Sequence, residues 1–221
     1  MVIQVENVSK TIKGNMVIDC VSAEFSSGKV YGLQGINGSG KTMLMRLISG
    51  LIYPTEGRIV IDGKILGKEI AFPESIGILI ENPAFLDNYS GFANLKLLAS
   101  IQNKIDDKQI YKTLERVGLE PDSRKKYKKY SLGMKQKLGI AGAVMEKPEF
   151  LILDEPANAL DKEGIERLKK IVQEEKERGA LIILSCHDSA LLGARADVIY
   201  SIQNGRLLKL GEAERKRLYL G

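Results

Sequence analysis

A glycine-rich segment early in the chain has the residue types and spacing of a loop that binds phosphate. It reads Gly35-Ile-Asn-Gly-Ser-Gly-Lys-Thr42, follows the apolar segment 30–34 and precedes a helical pattern. Backbone N–H groups of such a loop point at phosphate oxygens, aided by the positive end of the helix dipole. Lys41 is expected to reach the β- and γ-phosphates, and Thr42 to place its hydroxyl on Mg²⁺. The residues predicted to surround the nucleotide are Asn37, Gly38, Ser39, Gly40, Lys41, Thr42 and Met43.

Two adjacent acids stand where a second apolar segment ends. The sequence Phe150-Leu-Ile-Leu-Asp-Glu-Pro156 places Asp154 and Glu155 at the carboxyl end of a predicted buried strand. Open α/β sheets assemble their ligand sites at those strand ends. Asp154 is suited to hold Mg²⁺, directly or through water, because hard cations prefer carboxylate oxygens. Glu155 is suited to polarise an attacking water. Behind a phosphate loop, this pair indicates nucleotide hydrolysis.

Two short segments also match the remaining patterns of a GTPase, Asn103-Lys-Ile-Asp106 and Asp161-Lys-Glu-Gly164. A guanine-reading Asn-Lys-x-Asp pattern belongs at the end of a late apolar strand, whereas this one follows a helical stretch and precedes the acidic strand. Asp161 is not at a strand end either, because Asp154 already occupies that position. Both matches are therefore interpreted as chance.

Three further segments, in order along the chain, resemble those of the ABC ATPases. Tyr130-Ser-Leu-Gly-Met-Lys-Gln-Lys137 is similar to the family's signature segment, Ala157-Asn-Ala-Leu-Asp161 to its D-loop, and His187 to its switch histidine. The resemblance implies that two cassettes close head to tail around ATP. Ser131 and Gly133 of one cassette would then contact the γ-phosphate bound by the other. His187 would contact the γ-phosphate and hold the attacking water, so Glu155, His187 and Lys41 are the expected catalytic residues.

Departures from the common signature narrow the resemblance to one branch of the family. Leu132 stands in place of a glycine and Met134 in place of a glutamine. This form of the signature segment resembles that of the branch of the family that serves bacitracin resistance and lantibiotic immunity. Glu81 stands where most members have a glutamine, and this branch often has glutamate there. With Thr42 and Asp154, Glu81 completes the predicted Mg²⁺ ligands; the alternative is an acid in a solvent-facing loop.

The expected adenine contact also departs from the family. Members usually stack the base on an aromatic residue near position 12, where this chain has Ile12. An aliphatic side chain still covers one face of the ring but loses π-stacking, so selectivity for adenine is expected to be loose. Val17 is a predicted neighbour under the ring.

Hydrophobic periodicity predicts the elements that carry these motifs. Residues 57–66 predict a hairpin around Asp62-Gly63, and the apolar strands 30–34, 150–153 and 180–184 predict a parallel sheet buried on both faces. From about 91 to 145 the period becomes helical. The expected fold is an α/β phosphate-loop NTPase with a parallel core sheet, an N-terminal antiparallel β-subdomain and an inserted helical subdomain. We expect one domain over 1–221, with its core at about 1–83 and 148–221 and the helical subdomain at about 84–147.

Composition limits the class of protein and its partners. The chain has 221 residues, a net charge of +5 and no apolar run near the roughly 18 residues of a membrane span. Cys20 and Cys186 are expected to be buried free thiols. The basic run 124–129 is either a solvated surface or a contact for an anionic partner. The resemblance implies ATP and Mg²⁺ as cofactors, a separately encoded transmembrane permease and a second cassette as partners, and a peripheral location on the cytoplasmic face of the membrane.

The prediction is a subunit that powers an exporter of a peptide, an antibiotic or another small amphipathic substrate, with no nucleic-acid partner. Two alternative functions fit the sequence less well. A soluble ABC ATPase acting on DNA or ribosomes usually carries two cassettes or a long coiled-coil insertion, and neither is present in the sequence. A regulatory subunit with little hydrolysis would need a defect at Glu155 or His187, and both residues are present.

Overall fold

The computed structural model describes residues 1–185, 195–211 and 214, and two sheets run through this part of the chain. The strands are β1 (Val2–Ile12), β2 (Asn15–Ser26), β3 (Val30–Gln34), β4 (Glu56–Ile61), β5 (Lys64–Ile65), β6 (Ile76–Leu79), β7 (Phe150–Leu153), β8 (Leu181–Ser185), β9 (Val198–Gln203) and β10 (Arg206–Lys209). The helices are α1 (Lys41–Ile48), α2 (Gly91–Gln102), α3 (Asp107–Val117), α4 (Leu132–Val144) and α5 (Lys162–Glu177), with a short 3₁₀ turn at Tyr127–Lys129.

The larger sheet brings the ends of the predicted site strands together. Its order is β10-β9-β3-β8-β7-β6, and all neighbouring pairs are parallel except β9 with β10. The strands β7 and β8 are buried along their whole length, as expected of parallel strands covered on both faces. Leu33 pairs with Ser185, and Leu153 pairs with Leu184. The carboxyl ends of β3, β8 and β7 therefore lie side by side.

The smaller sheet is antiparallel, with the order β2-β1-β4-β5. Strands β4 and β5 are joined by Asp62 and Gly63, both with positive φ, at 47° and 82°. Two positive φ values are the mark of the tight hairpin turn expected there. The Asp62 side chain also accepts a hydrogen bond from the Val2 N–H at 2.7 Å, which ties the turn to the start of β1.

Helices α2, α3 and α4 fill the chain between β6 and β7, so the predicted helical period is present. Apolar side chains at helical spacing point into one core, in which Ile110, Leu114, Val117, Leu138, Ala141 and Met145 are buried. Side chains cap the starts of α2, α3, α4 and α5, each accepting from the backbone N–H three residues on. These caps are Ser90, Asp106, Ser131 and Asp161.

Both GTPase-like segments turn out to be helix ends. Asn103 closes α2 in a left-handed conformation with φ of 54°, and Asp106 starts α3 by accepting from the Gln109 N–H at 2.9 Å. Asp161 starts α5 by accepting from the Gly164 N–H at 2.8 Å. Asn and Asp are common at such positions because their short side chains bond to nearby backbone. This explains both matches without any guanine contact.

The expectation of a buried Cys20 is wrong, because this side chain is exposed. The reason is an irregularity in the pairing of β1 with β2, between the pairs Val8–Val21 and Lys10–Ile18. A bulge of this kind breaks the strict alternation of faces, so Ile18 and Val21 are both buried, and Cys20 between them points outward. Cys186 lies outside the described residues. The basic side chains of the run 124–129 are exposed, while Tyr127 within it is buried.

Candidate nucleotide site

The loop between β3 and α1 has a backbone that depends on glycine. Gly38 and Gly40 have φ of 79° and 114°, values that side chains disfavour. A Cβ on Gly40 would lie 3.1 Å from both the Val17 carbonyl oxygen and the Ile18 side chain. A Cβ on Gly35 would lie 2.5 Å from the backbone oxygen of Ile202. The loop is therefore packed closely against β2 and β9, with no room for larger residues at two of its glycines.

Lys41 lies inside the curve of this loop. Its Nζ donates to the carbonyl oxygens of Gly35 at 2.7 Å and Ile36 at 3.2 Å, and lies 3.8 Å from Oε1 of Glu155. The side chain is buried, being 6% exposed. Lys41 thus connects the first residues of the loop with the acid that follows β7.

A chain of hydrogen bonds links the start of α1 with the ends of β7 and β8. Thr42 Oγ1 donates to Oδ2 of Asp154 at 2.6 Å, and Ser185 Oγ donates to Oδ1 of Asp154 at 2.5 Å. Asp154 is 4% exposed, and these two donors satisfy the hydrogen-bonding capacity of its buried carboxyl group. The Thr42 and Asp154 oxygens together form a hard, oxygen-rich pair of the kind that Mg²⁺ prefers.

The backbone of Glu155 forms hydrogen bonds, in addition to the contact of its carboxylate with Lys41. Its N–H donates to Ser185 Oγ at 2.9 Å, and its carbonyl oxygen accepts from Gln136 Nε2 at 3.2 Å. The residue has a positive φ of 49° and its side chain is 18% exposed. A carboxylate beside Lys41 and next to Asp154 can act on a water molecule at the γ-phosphate end of the loop.

A cavity of about 230 Å³ joins these groups. Its lining residues are Val17, Asn37, Gly38, Gly40, Lys41, Thr42, Met43, Asp154 and Glu155. All nine are among the site residues predicted from the sequence. Ser39 is predicted there too, and its buried Oγ has no hydrogen-bond partner among the described residues. An unsatisfied buried hydroxyl at a phosphate loop is suited to a ligand oxygen.

Other predicted site residues lie outside this cavity. Ile12 is exposed near the tip of the β1–β2 hairpin, and only Val17 of the predicted adenine pair lines the cavity. Glu81 does not line it, and its carboxylate pairs with Nη2 of Arg46 at 2.7 Å.

Ser131 and Gly133 stand at the start of α4. His187 lies outside the described residues.

The start of α4 contacts the segment that follows Glu155. A Cβ on Gly133 would lie 2.7 Å from the carbonyl oxygen of Ala159, so only glycine fits there. Lys137 Nζ lies 3.7 Å from Asp161. The hydrogen bond from Gly164 N–H, followed by the Lys137 charge, lowers the pKa of Asp161. Ser131 is exposed and uses Oγ to accept from the Met134 N–H, which leaves its own hydroxyl proton available.

Sequence reasoning missed three residues that contact the predicted site. Ser185 binds Asp154 and Glu155, Gln136 binds the Glu155 carbonyl, and Arg46 pairs with Glu81. For Ser185, a polar residue at the end of an apolar strand next to the acidic strand was a usable signal. Gln136 lies within the signature segment on a helix, where the sequence alone suggests a surface residue.

The chain matches the family model described as "ABC transporter" over residues 18–158. The chain belongs to the ABC transporter family. Among curated relatives it is 47% identical to the uncharacterized ABC transporter ATP-binding protein YybJ of Bacillus subtilis, covering 93% of this chain and 94% of that one. It is 38% identical to the bacitracin transport ATP-binding protein BcrA of Enterococcus faecalis, over 94% of this chain and 68% of that protein. It is 34% identical to the lantibiotic transport ATP-binding protein SrtF of Streptococcus pyogenes, covering 93% and 89%.

Solved structures agree on the fold of this ABC protein. An ATP-binding subunit of an ABC transporter superposes with a TM-score of 0.86 at 28% identity, covering 98% of this chain and 92% of that one. A bacterial ABC transporter cassette solved as a dimer superposes with a TM-score of 0.85 at 22% identity, covering 95% and 99%. The predicted α/β phosphate-loop ATPase fold is confirmed, as is the resemblance to the bacitracin and lantibiotic branch.

This ABC protein is an ATP-binding and ATP-hydrolysing subunit of a transporter, as predicted. Among the residues that the structure describes, no helix is both long and apolar enough to cross a membrane.

Proposed function

We propose that this subunit binds MgATP in the cavity at the phosphate loop and hydrolyses it with Glu155 as general base. The observation that carries the proposal is the convergence of Lys41, Thr42, Asp154 and Glu155 on one cavity of about 230 Å³. Lys41 and the loop N–H groups would bind the β- and γ-phosphates. Catalysis of phosphoryl transfer consists mostly of positioning and charge stabilisation, which this arrangement of fixed donors can supply.

The residues present fit a magnesium ion. Mg²⁺ in nucleotide sites is held by one or two protein ligands together with phosphate oxygens and water. Thr42 Oγ1 and Asp154 Oδ2 lie 2.6 Å apart at the mouth of the loop and can supply those ligands. Bound there, the ion would neutralise charge on the transferred phosphate. Glu81 joins this set as a proposed ligand only if it leaves Arg46, since the two are paired at 2.7 Å.

The site is proposed to be completed by a second cassette. Ser131 and Gly133 lie at the N-terminus of α4, outside the cavity that their own chain forms. A helix N-terminus with an exposed hydroxyl is suited to bind a phosphate oxygen. The γ-phosphate would thus lie between the loop of one chain and α4 of its partner. His187 is proposed to contact the same phosphate from its own chain.

A separate permease is proposed to dock in the large groove beside α2. The groove encloses about 1190 Å³ between β6, α2 and α4. Its wall carries exposed apolar side chains, namely Leu51, Leu86, Leu97, Leu98 and Ile101. Exposed apolar patches of this kind mark interaction sites. Ile80 and Asn82, on either side of Glu81, also line the groove, so a partner there would lie close to the proposed Glu81 loop.

The transported substrate is proposed to be a peptide antibiotic or a similar small amphipathic molecule, moved outward. The support is that two relatives are named for bacitracin and lantibiotic transport. The protein would act as one domain, with its core at about 1–83 and 148–221 and a helical subdomain at about 84–147. It would lie at the cytoplasmic face of the membrane, held there by the permease, with no nucleic-acid partner.

Replacing Glu155 with Gln tests the assignment of the base. Loss of a well-placed general base lowers turnover by roughly 10²–10⁴-fold. Glu155→Gln should therefore bind ATP like the wild type and lose most hydrolysis, measured by phosphate release. Glu166→Gln, at an exposed acid of α5, is the matched control and should keep full turnover. Equal turnover in the Glu155→Gln and wild-type proteins would refute the assignment.

A further inference from the structure

Glu155 adopts a backbone conformation that its local sequence does not favour. Its φ is 49°, in the left-handed region, and the residue after it is Pro156. Positive φ is uncommon for residues other than glycine, and a residue before proline favours extended backbone. Such conformations persist where surrounding contacts fix them, and they cluster at functional sites. Contacts from the surrounding fold must therefore hold Glu155 in this conformation.

Two buried side chains hold the peptide groups on either side of the Glu155 Cα. Ser185 Oγ accepts from the Glu155 N–H at 2.9 Å, and Gln136 Nε2 donates to the Glu155 carbonyl at 3.2 Å. The carbonyl also accepts from the Asn158 backbone N–H at 3.1 Å. Because peptide groups are planar, fixing both of them restricts the φ and ψ of Glu155 together. The direction of its side chain is restricted as a consequence.

Ser185 and Gln136 belong to different parts of the fold. Ser185 ends β8 in the core sheet, is fully buried and donates to Asp154 with the same hydroxyl that Glu155 contacts. Gln136 lies on α4, the helix that begins at Ser131, and is 7% exposed. Neither side chain lines the phosphate cavity, so neither is placed to touch the nucleotide. Their effect on hydrolysis must pass through Glu155 and Asp154.

We infer that Ser185 and Gln136 are positioning residues for ATP hydrolysis, which aim the Glu155 carboxylate through its backbone. The inference rests on the proposed role of Glu155 as the base. Gln136 also links α4 to Glu155, so a shift of α4 would move the Glu155 backbone. The helix whose N-terminus is proposed to contact the partner cassette is thus hydrogen-bonded to the proposed base of its own chain. The hydroxyl of Ser185 orients Asp154 and Glu155 at once.

The test is steady-state ATP hydrolysis by the full chain carrying Ser185→Ala or Gln136→Met. Misplacement of a catalytic group by about 1 Å lowers rates on the order of 10²-fold, so each variant should lose roughly 10- to 100-fold in kcat with little change in KM. Ser185→Thr and Ser185→Val are matched in shape and differ in the hydroxyl. Thr should retain turnover and Val should lose it, which decides the matter even if the smaller alanine destabilises the protein.

A double-mutant cycle separates positioning from a merely structural role. In a Glu155→Gln background, measured by single turnover, Gln136→Met should cause no further loss, because its effect passes through the missing base. Ser185→Ala should lose less there than in the wild type, because only its contact with Asp154 remains to be removed. Equal kcat in the Thr and Val variants, or full additivity with Glu155→Gln, would overturn the inference while the base assignment stands. Full turnover by Glu155→Gln alone would instead overturn the proposed function and, with it, this inference.

Discussion

Nη2 of Arg46, on the outer face of α1, lies 2.7 Å from Oε1 of Glu81, in the segment after β6. Glu81 is 60% exposed and Arg46 is 33% exposed. Glu81 also has a positive φ of 60°, which a non-glycine residue seldom adopts. Most ABC ATPases have a neutral glutamine at this position, and a glutamine would not form an ion pair with Arg46. The charge of Glu81 thus has a partner within its own chain.

Removing this charge should alter coupling and leave the fold intact. An exposed ion pair contributes about 0–1 kcal/mol to the free energy of unfolding, so Glu81→Ala should melt close to the wild type. Its dependence on Mg²⁺ concentration, or its stimulation by the permease, should change. Arg46→Ala is the matched variant, because it releases the Glu81 carboxylate without removing it. A large loss of stability with normal coupling would show that Glu81 serves the fold.

The apolar groove beside α2 gives a second prediction, about the permease. Leu97→Glu places a charge on an exposed wall position of the groove, so basal hydrolysis by the isolated chain should stay within about twofold, as for most exposed substitutions. Recovery of the permease with the tagged subunit from detergent extracts should be lost. Leu208→Glu, at an exposed position on β10 away from the groove, is the control and should retain the permease. Equal recovery with both variants would place the permease elsewhere.

The position of Ile12 gives a third prediction, about base selectivity. Ile12 lies near the hairpin tip and does not line the phosphate cavity, while Val17 does. With no aromatic ring at position 12, ATP and GTP should compete within about tenfold, roughly 1.4 kcal/mol. Ile12→Tyr should tighten ATP binding, measured by displacement of a fluorescent nucleotide. A strong native preference for ATP that Ile12→Tyr leaves unchanged would contradict this.

How much the sequence could predict depends on how local each feature is. The phosphate loop, the strand that ends just before Asp154 and the turn at Asp62 are set by neighbouring residues, so the sequence predicts them directly. The prediction that Cys20 is buried is wrong, because the bulge that turns it outward depends on pairing between two strands. The residue at which a register irregularity falls depends on the partner strand, so the sequence of β2 alone does not locate it.

The contacts around Glu155 likewise depend on packing between segments that are distant in the sequence. Ser185 lies 31 residues from Asp154 in the sequence, and Gln136 lies 19 residues from Glu155. Serine and glutamine occur in many structural roles. Only the packing of β8 and α4 against β7 brings these two side chains into contact with the Glu155 backbone. The same holds for Arg46, which reads as a basic residue on the exposed face of a helix and pairs with an acid 35 positions away.

The start of α4 gives the last prediction, that hydrolysis requires two chains. Ser131 and Gly133 do not line the cavity formed by Lys41 and Asp154 of their own chain, and the sequence contains no second signature segment. The isolated protein should therefore be largely monomeric without nucleotide, and its specific activity should rise with protein concentration. Glu155→Gln with MgATP should trap a dimer, because hydrolysis no longer releases the closed state.

Ser131→Arg provides the decisive comparison for this dimer. The exposed Ser131 side chain can be enlarged without disturbing the core, and Gly133 beside it packs against the Ala159 carbonyl. An arginine at position 131 would occupy the space of the partner's γ-phosphate, so Glu155→Gln with Ser131→Arg should stay monomeric while each chain still binds ATP through Lys41. Light scattering with and without MgATP measures both outcomes. A monomer under all conditions, with activity per chain independent of concentration, would mean that one cassette completes its own site.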